Sequence, residues 1–318
     1  MIADKTILIT GGTGTFGQKY TEWLIKHKGV KRIIIFSRDE LKQHDMKQKF
    51  KDERIRYFIG DVRNQNRLER AFNEVDIVIH AAALKQVPAC EYNPWEAVQT
   101  NVIGTQNIIE ASINKKVSRC LLLSTDKSCM ASNTYGKTKA LAESLFINGN
   151  AYASGTKTRF SCVRYGNVTG SRGSIIPLME KLRDSGQPIT ITDDRMTRFW
   201  LEPERACEIV SSAIQMMYGG EIFIPKIPSV RILDLKQAIA PESEIKFIGI
   251  REGEKLHESL ISEQEAPMTI DAGEFYVIES PQDWFQRGRI KGIHFEKERY
   301  VSNENENFLS IEEIQAGI

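Results

Sequence analysis

The chain begins with the apolar run Thr6-Ile7-Leu8-Ile9-Thr10 and passes directly into Gly11-Gly12-Thr13-Gly14-Thr15-Phe16-Gly17. Few folds accommodate a short buried strand that ends in glycines at 11, 14 and 17 and continues as a helix. Gly11 permits the tight turn, Gly14 lets the backbone approach a pyrophosphate, and Gly17 lets the helix pack on the strand. The helix N-terminus then offers N–H donors to an anion. The run therefore predicts a strand–turn–helix unit that opens a dinucleotide site.

The same rhythm continues. Strands are expected at Ile7–Ile9, Arg32–Phe36, Tyr57–Ile59, Ile77–His80, Leu121–Ser124 and Phe160–Val163, each the length of a buried parallel strand. Helical patterns separate them: Phe16 to Lys28, Glu40 to Phe50, Arg67 to Phe72, Pro94 to Asn114 and Tyr135 to Asn148. The alternation predicts an α/β fold of the Rossmann type, a doubly wound parallel sheet with helices on both faces. After Val168 prolines multiply and the elements shorten (Ile189–Thr192, Glu221–Ile224, Lys246–Ile250), although Glu202 to Met217 still reads as a helix. The expected division is a dinucleotide-binding domain over 1–168 and a smaller C-terminal substrate-binding lobe over 169–318, with some segments returning to the sheet. The polar stretch Ser302–Asn307 reads as a solvated connector before a short last helix.

Charge narrows the partners. With 43 Lys+Arg against 42 Asp+Glu the net charge is +1, which argues against a general nucleic-acid binder. The 5 cysteines form no Cys-x-x-Cys pair; Cys120 and Cys162, inside apolar strand-like runs, read as buried free thiols, a reducing compartment is expected, and no metal site is. No run is long enough to span a bilayer, and no leader pattern opens the chain, so a cytoplasmic protein is expected.

Two strand ends address the cofactor. The second closes in Ser37-Arg38-Asp39, with Lys42 one turn on. A hydroxyl and a guanidinium suit a ribose 2′-phosphate better than a free hydroxyl, so NADP is expected rather than NAD. The competing explanation is a surface pair between Arg38 and Asp39 or Glu40. Asp61 and Val62 end the third strand, where a carboxylate can accept the adenine amino group. Ala81-Ala82-Ala83 end the fourth, where small side chains leave room for the dinucleotide.

The fifth strand ends Ser124-Thr125-Asp126-Lys127, and Tyr135 and Lys139 follow at a spacing of one helical turn. A lysine beside a phenol stabilises the phenolate and makes a usable general base. The pairing is common by chance; its position after a fifth strand carrying Ser and Thr makes the combination specific.

With these residues in place, the chain resembles the extended short-chain dehydrogenase/reductase superfamily and, within it, the inverting UDP-N-acetylglucosamine 4,6-dehydratases. The resemblance rests on Gly11–Gly17, Ser37–Glu40, His80–Lys85, Glu91–Pro94, Thr100-Asn101, Ser124–Lys127, Tyr135 with Lys139, Arg164–Val168, Gly170–Ser174, Arg195–Trp200 and Arg251–Glu258. It spans nearly the whole chain. Gln86 and the segment Ser128–Thr134 depart from the family's pattern and leave loop shape and sugar selectivity open.

The resemblance implies a reaction that begins with oxidation at carbon 4. Proton loss at carbon 5 and departure of the 6-hydroxyl follow, and reduction at carbon 6 regenerates NADP. Tyr135 with Lys139 would serve the 4-hydroxyl and Thr125 would orient it. Lys127 would be the carbon 5 base and Asp126 the acid. A lysine base calls for a depressed pKa, expected here from desolvation and from the Lys139 and nicotinamide charges, whereas Asp126 should be raised by burial. Thr13, Thr15, Phe16 and Asn101 join the expected cofactor contacts, and Lys85 faces cofactor or sugar. Asn167, Arg172, Ser174, Arg198, Arg251 and Glu254 are the expected substrate contacts. The arginines clamp a diphosphate, although one of them is expected to form only a surface pair. His257, Phe199 and Trp200 read as structural. The implied product is a UDP-2-acetamido-2,6-dideoxy-L-arabino-hex-4-ulose for pseudaminic acid or related surface glycans, made by a homo-oligomer. A 4-epimerase, a retaining dehydratase and a non-catalytic NADP-binding module remain the alternatives.

Overall fold

A computed structural model describes residues 2–26, 29–170 and 174–318. The first half alternates strand and helix: β1 (Thr6–Thr10), α1 (Thr15–Lys26), β2 (Arg32–Ser37), α2 (Glu40–Lys49), β3 (Ile55–Ile59), α3 (Gln65–Ala71) and β4 (Ile77–His80). Next come α4 (Val87–Tyr92), α5 (Pro94–Ala97), a π-helical stretch at Val98–Ile103, α6 (Gly104–Asn114), β5 (Arg119–Leu123), α7 (Thr134–Tyr152) and β6 (Arg159–Val163).

One large sheet has the strand order β3-β2-β1-β4-β5-β6 and is parallel throughout that run. The strands are buried on both faces because alternate side chains supply two different cores. Ile7, Ile9, Ile33, Ile35, Leu121 and Leu123 enter one apolar cluster; Leu8, Ile34, Phe36, Val78, Cys120 and Leu122 enter the other. Each such side chain contributes about 1.5–3 kcal/mol on leaving water. The expected doubly wound Rossmann-type sheet is therefore the fold observed.

The second half continues with β7 (Asn167–Val168), α8 (Ile175–Asp184), β8 (Ile189–Ile191), β9 (Thr197–Leu201), α9 (Pro203–Met216), β10 (Ile222–Pro225), β11 (Ser229–Arg231), α10 (Ile232–Ile239) and β12 (Ile245–Phe247). Then follow β13 (Ser259–Ile261), β14 (Thr269–Asp271), β15 (Phe275–Ile278), β16 (Ile293–His294), β17 (Tyr300–Val301) and α11 (Ile311–Ala316). β10 adds in parallel to β6, and β15, β14 and β16 extend the same sheet antiparallel. The small sheets β11-β9-β7 and β12-β8, with α8, α10 and α11, enclose a separate apolar cluster around Met179, Ile191, Trp200 and Leu235, whereas Leu260, Ile261 and Tyr300 of the β13–β17 pair join the main cluster. The chain thus returns to the main sheet well beyond residue 168.

Two local differences from the sequence expectation matter for the site. The helix expected over Pro94–Asn114 is interrupted by the π-helical stretch, which carries the buried residues Thr100 and Asn101. Asn101 accepts from the Leu84 N–H and donates to the Leu84 carbonyl and the Thr138 hydroxyl, tying the loop after β4 to α7. The extra residue in that turn is what aims this amide, a common use of π-bulges. The other difference is α4, which none of the expected helices covers; Pro88 stands at its first turn, where its missing N–H costs nothing. All 5 cysteines are buried and free. No helix of the described residues is long and apolar enough to cross a membrane.

Candidate active site

The turn between β1 and α1 is built for close approach. Gly11 has φ +64°, and a Cβ there would meet Ala82 Cα and N at 2.9 Å. A Cβ on Gly17 would come within 2.5 Å of Gly12 Cα, so α1 could not sit on the turn. At Gly14 a Cβ would meet the Gly11 carbonyl at 3.1 Å and would fill the space over the helix N-terminus. That cradle fits the pyrophosphate of a dinucleotide.

Thr10 and His80 hold the neighbouring loop. The Thr10 hydroxyl lies 2.8 Å from His80 Nδ1 and accepts from the N–H groups of Ala81 and Ala82. Because Thr105 donates to the Asn101 carbonyl, His80 Nε2 donates to Thr105, so Nδ1 is the bare nitrogen. Burial and the nearby Lys139 push the His80 pKa down to about 3, so the ring is neutral.

A cavity of about 1110 Å³ runs from this turn across the ends of the strands into the C-terminal lobe. Its dinucleotide end is lined by Gly11, Thr13, Gly14, Thr15, Phe16, Gly17, Ser37, Arg38, Asp39, Lys42, Asp61, Val62 and Ala81–Ala83. Arg38 pairs loosely with Asp61 at 3.7 Å rather than with Asp39 or Glu40. Asp39 caps α2 through the Lys42 N–H and pairs with the Lys42 ammonium. Ser37 Oγ accepts from Gln43 at 3.0 Å.

The cavity's centre holds Lys85, Thr125, Lys127, Tyr135 and Lys139, and its far end Asn167, Ser174, Arg198, Arg251 and Glu254. Arg198 and Arg251 both reach Glu254, at 3.5 and 3.1 Å. Two expected residues are placed differently. Asn101 is occupied by Leu84 and Thr138, as described. Asp126 lies behind the lining, 1% exposed. Arg172 lies outside the described residues.

Asp126 is the hub of a buried chain. Its Oδ1 accepts from the Thr125 hydroxyl at 2.9 Å and from Lys127 Nζ at 3.1 Å, while Oδ2 is buried without a partner. On the other side of Lys127, Glu258 Oε1 lies 3.0 Å from Nζ; Glu258 is 3% exposed and its Oε2 also lacks a partner. The Thr125 hydroxyl faces the Tyr135 phenol. Phenol, hydroxyl, carboxyl, amine and carboxyl thus follow one another.

Burial pushes the Asp126 carboxyl above the usual carboxylate range, against the pull of Lys127, as expected of an acid. Lys127 differs from the expectation. Burial alone would lower it, but the acidic side chains of Asp126 and Glu258 on either side of Nζ outweigh burial and raise it, so Lys127 rests as an ammonium. Tyr135 is pushed up to about 12 by burial. Lys139 donates to the Leu123 carbonyl at 2.8 Å, and burial brings its pKa down to about 8.

Beneath this chain Arg164 bridges Glu143 at 2.7 Å and Glu265 at 2.8 Å. Ser128 Oγ sits 2.8 Å from Glu143 and 2.6 Å from the Thr125 carbonyl, so the bridge holds the loop that carries Thr125 to Ser128. Sequence reasoning gave no role to Glu258, Glu143 or Glu265. Glu258 had one usable signal: an acidic residue two positions ahead of Leu260 in a strand that must be buried.

A Rossmann-type sheet with Tyr135 and Lys139 on the helix after β5 defines an extended short-chain dehydrogenase/reductase. The family described as polysaccharide biosynthesis protein matches residues 7–280, and the chain belongs to it. It is 50% identical over 279 residues, 87% of this chain and 84% of the relative, to a Campylobacter jejuni protein named UDP-N-acetylglucosamine 4,6-dehydratase (inverting). It is 41% identical over 330 residues, 99% of this chain and 95% of the relative, to a Rickettsia bellii protein named UDP-glucose 4-epimerase. Among solved structures, the X-ray structure of Pen from Bacillus thuringiensis superposes with a TM-score of 0.91 at 36% identity, covering 99% of this chain and 97% of that one.

Proposed function

We propose that this protein is an inverting UDP-N-acetylglucosamine 4,6-dehydratase, a hydro-lyase that uses NADP catalytically. The observation that carries the reading is the Asp126–Lys127 pair at the end of β5, linked through Thr125 to Tyr135 inside the cavity that begins at the glycine turn. A 4-epimerase needs the phenol but has no use for a second acid and base beside it.

Gly11 to Gly17 and Ala81 to Ala83 hold the dinucleotide. Arg38, Lys42 and Ser37 at the ribose end favour the 2′-phosphate of NADP. Held by these residues, a nicotinamide dinucleotide would supply the hydride acceptor for carbon 4 and the hydride donor for carbon 6. Thr125 orients the 4-hydroxyl; Tyr135, a neutral phenol in the resting site, takes that proton as the phenolate, which the positive charge of a bound nicotinamide would favour. The new ketone acidifies carbon 5. The Lys127 amine removes that proton, and Asp126, whose carboxyl burial raises, gives a proton to the departing 6-hydroxyl, which leaves as water. A proton from solvent added to the opposite face of carbon 5, with the one on Lys127 lost to solvent, gives the L-arabino 4-keto sugar, a precursor suited to pseudaminic acid or related surface glycans. Arg198 and Arg251 exchange Glu254 for the diphosphate, Glu254 then accepts ribose hydroxyls, and Asn167 and Ser174 complete the sugar-nucleotide end.

Incubation with UDP-N-acetylglucosamine tests the reading. A 4-keto product with alkaline absorbance should form with no net NADPH. A product that keeps its 6-hydroxyl and differs only at carbon 4, from this substrate or from UDP-glucose, would make the protein an epimerase.

A further inference from the structure

The resting charge of Lys127 poses a problem that the site itself answers. A base must arrive as a free amine, yet this one is an ammonium between two carboxyl groups. Where Asp126 enters the reaction as the acid, its proton is committed to the departing 6-hydroxyl, so the Nζ proton needs another acceptor. The remaining neighbour is Glu258, 3.0 Å from Nζ.

Glu258 is placed rigidly. Its N–H donates to Ser302 Oγ at 3.0 Å, and its carbonyl accepts from the Ser302 N–H at 2.8 Å, at the head of the β13–β17 pair. Its side chain lines the cavity, although the residue is almost fully buried, and its Oε2 has no partner. The charged groups facing it are Lys127 from the loop after β5, Arg198 from β9 at 3.9 Å, and Lys255 on its own loop. Asp126 and Tyr135 stand beyond Lys127.

We propose that Glu258 is the positioning residue that arms Lys127: it holds the ammonium in the resting site and takes one Nζ proton once the sugar covers the cavity. The inference rests on the dehydratase reading. One N–H bond breaks and one O–H bond forms, so an ammonium and a carboxylate become an amine and a carboxylic acid. With Asp126 protonated, all three groups are then neutral, the state a buried cluster favours once a ligand has displaced water. After Lys127 has taken the carbon 5 proton and Asp126 has given its own to the departing hydroxyl, the proton stored on Glu258 passes by way of Lys127 to Asp126 as the site reopens, which restores the resting charges.

Glu258→Gln keeps the shape and removes the sink. With UDP-N-acetylglucosamine, kcat near neutral pH should fall about 100-fold or more while KM changes little. The deficit should shrink as pH rises, because Lys127, relieved of one anion, then loses its proton to solvent before the sugar binds. Glu258→Ala should be slow and should be restored in part by added formate, which fits the vacated space. A deficit of the same size at every pH, no deficit, or no rescue by formate would reduce Glu258 to a structural residue and overturn the proposal. A measurement without turnover separates this failure from failure of the reaction assignment. In carbon-13 NMR of labelled lysine, with the Lys127 signal assigned by its loss in Lys127→Arg, wild type should stay charged to the alkaline limit of folding, whereas Glu258→Gln should titrate earlier. Identical titrations would overturn the proposal even in an enzyme that turns over. A shifted titration in a protein inactive on the sugar would instead remove the dehydratase reading.

Discussion

Lys127 Nζ lies 3.1 Å from the carboxyl of its own chain neighbour, Asp126. Adjacent residues in a regular strand point to opposite faces, so this contact exists only because β5 has ended at Leu123 and the chain turns. The turn is held by Ser128, through Glu143 and the Thr125 carbonyl.

Removing the amine should therefore stop the chemistry without touching the dinucleotide turn. Lys127→Ala should lower kcat for 4-keto sugar formation by about 100-fold or more, the usual worth of a positioned base. NADP affinity, read by fluorescence titration, should stay at the wild-type value. Turnover near the wild-type rate would remove Lys127 from the mechanism.

At the ribose end, Arg38 is half-exposed and its contact with Asp61 is long. Such a pair contributes little, so its guanidinium is available to a phosphate. Arg38→Ala should weaken NADP by about tenfold or more, as expected for loss of a charge-assisted phosphate contact, and leave NAD nearly unchanged. Equal weakening of both cofactors, measured by calorimetry, would make the arginine structural.

Much of this was legible in the sequence because local chemistry dictates it. The glycine turn, the strand lengths and the Tyr135–Lys139 spacing are all short-range patterns, and each predicted its element. The pairing of Glu258 with Lys127 was not legible: 258 − 127 = 131 positions of chain separate them, and only the packing of β13 brings them together. The charge of Lys127 was misread for the same reason, since the expectation weighed desolvation and neighbouring cations but had no second carboxylate. The π-helical stretch was hidden because its apolar spacing barely differs from that of an α-helix.

The bridge beneath the site should dominate stability locally. Arg164 is 2% exposed and serves two carboxylates, so Arg164→Met leaves both uncompensated, at a cost of about 3–5 kcal/mol. Burial works to raise Glu265 and Arg164 holds it low, so in the variant its folded pKa should rise above the unfolded one. The deficit in urea unfolding should therefore be largest at neutral pH and shrink as pH falls and Glu265 protonates. A deficit independent of pH would mean lost packing alone.

His80 gives the opposite limb. Its pKa is about 3 in the fold against 6.5 for the free side chain. The neutral ring's contribution is fully present above pH 6.5 and is lost as pH falls from there toward 3, because the unfolded chain binds the proton first. His80→Gln should be less stable than wild type at neutral pH yet lose stability less steeply over that window. Parallel slopes would show that His80 titrates normally.

The account's central claim is elimination across carbons 5 and 6 with inversion at carbon 5. Proton NMR of the UDP-N-acetylglucosamine reaction run in heavy water tests it most directly. A 6-deoxy-4-keto product of L-arabino configuration, with deuterium at carbon 5, is the predicted result. A product that retains the D configuration and its original carbon 5 proton would contradict it.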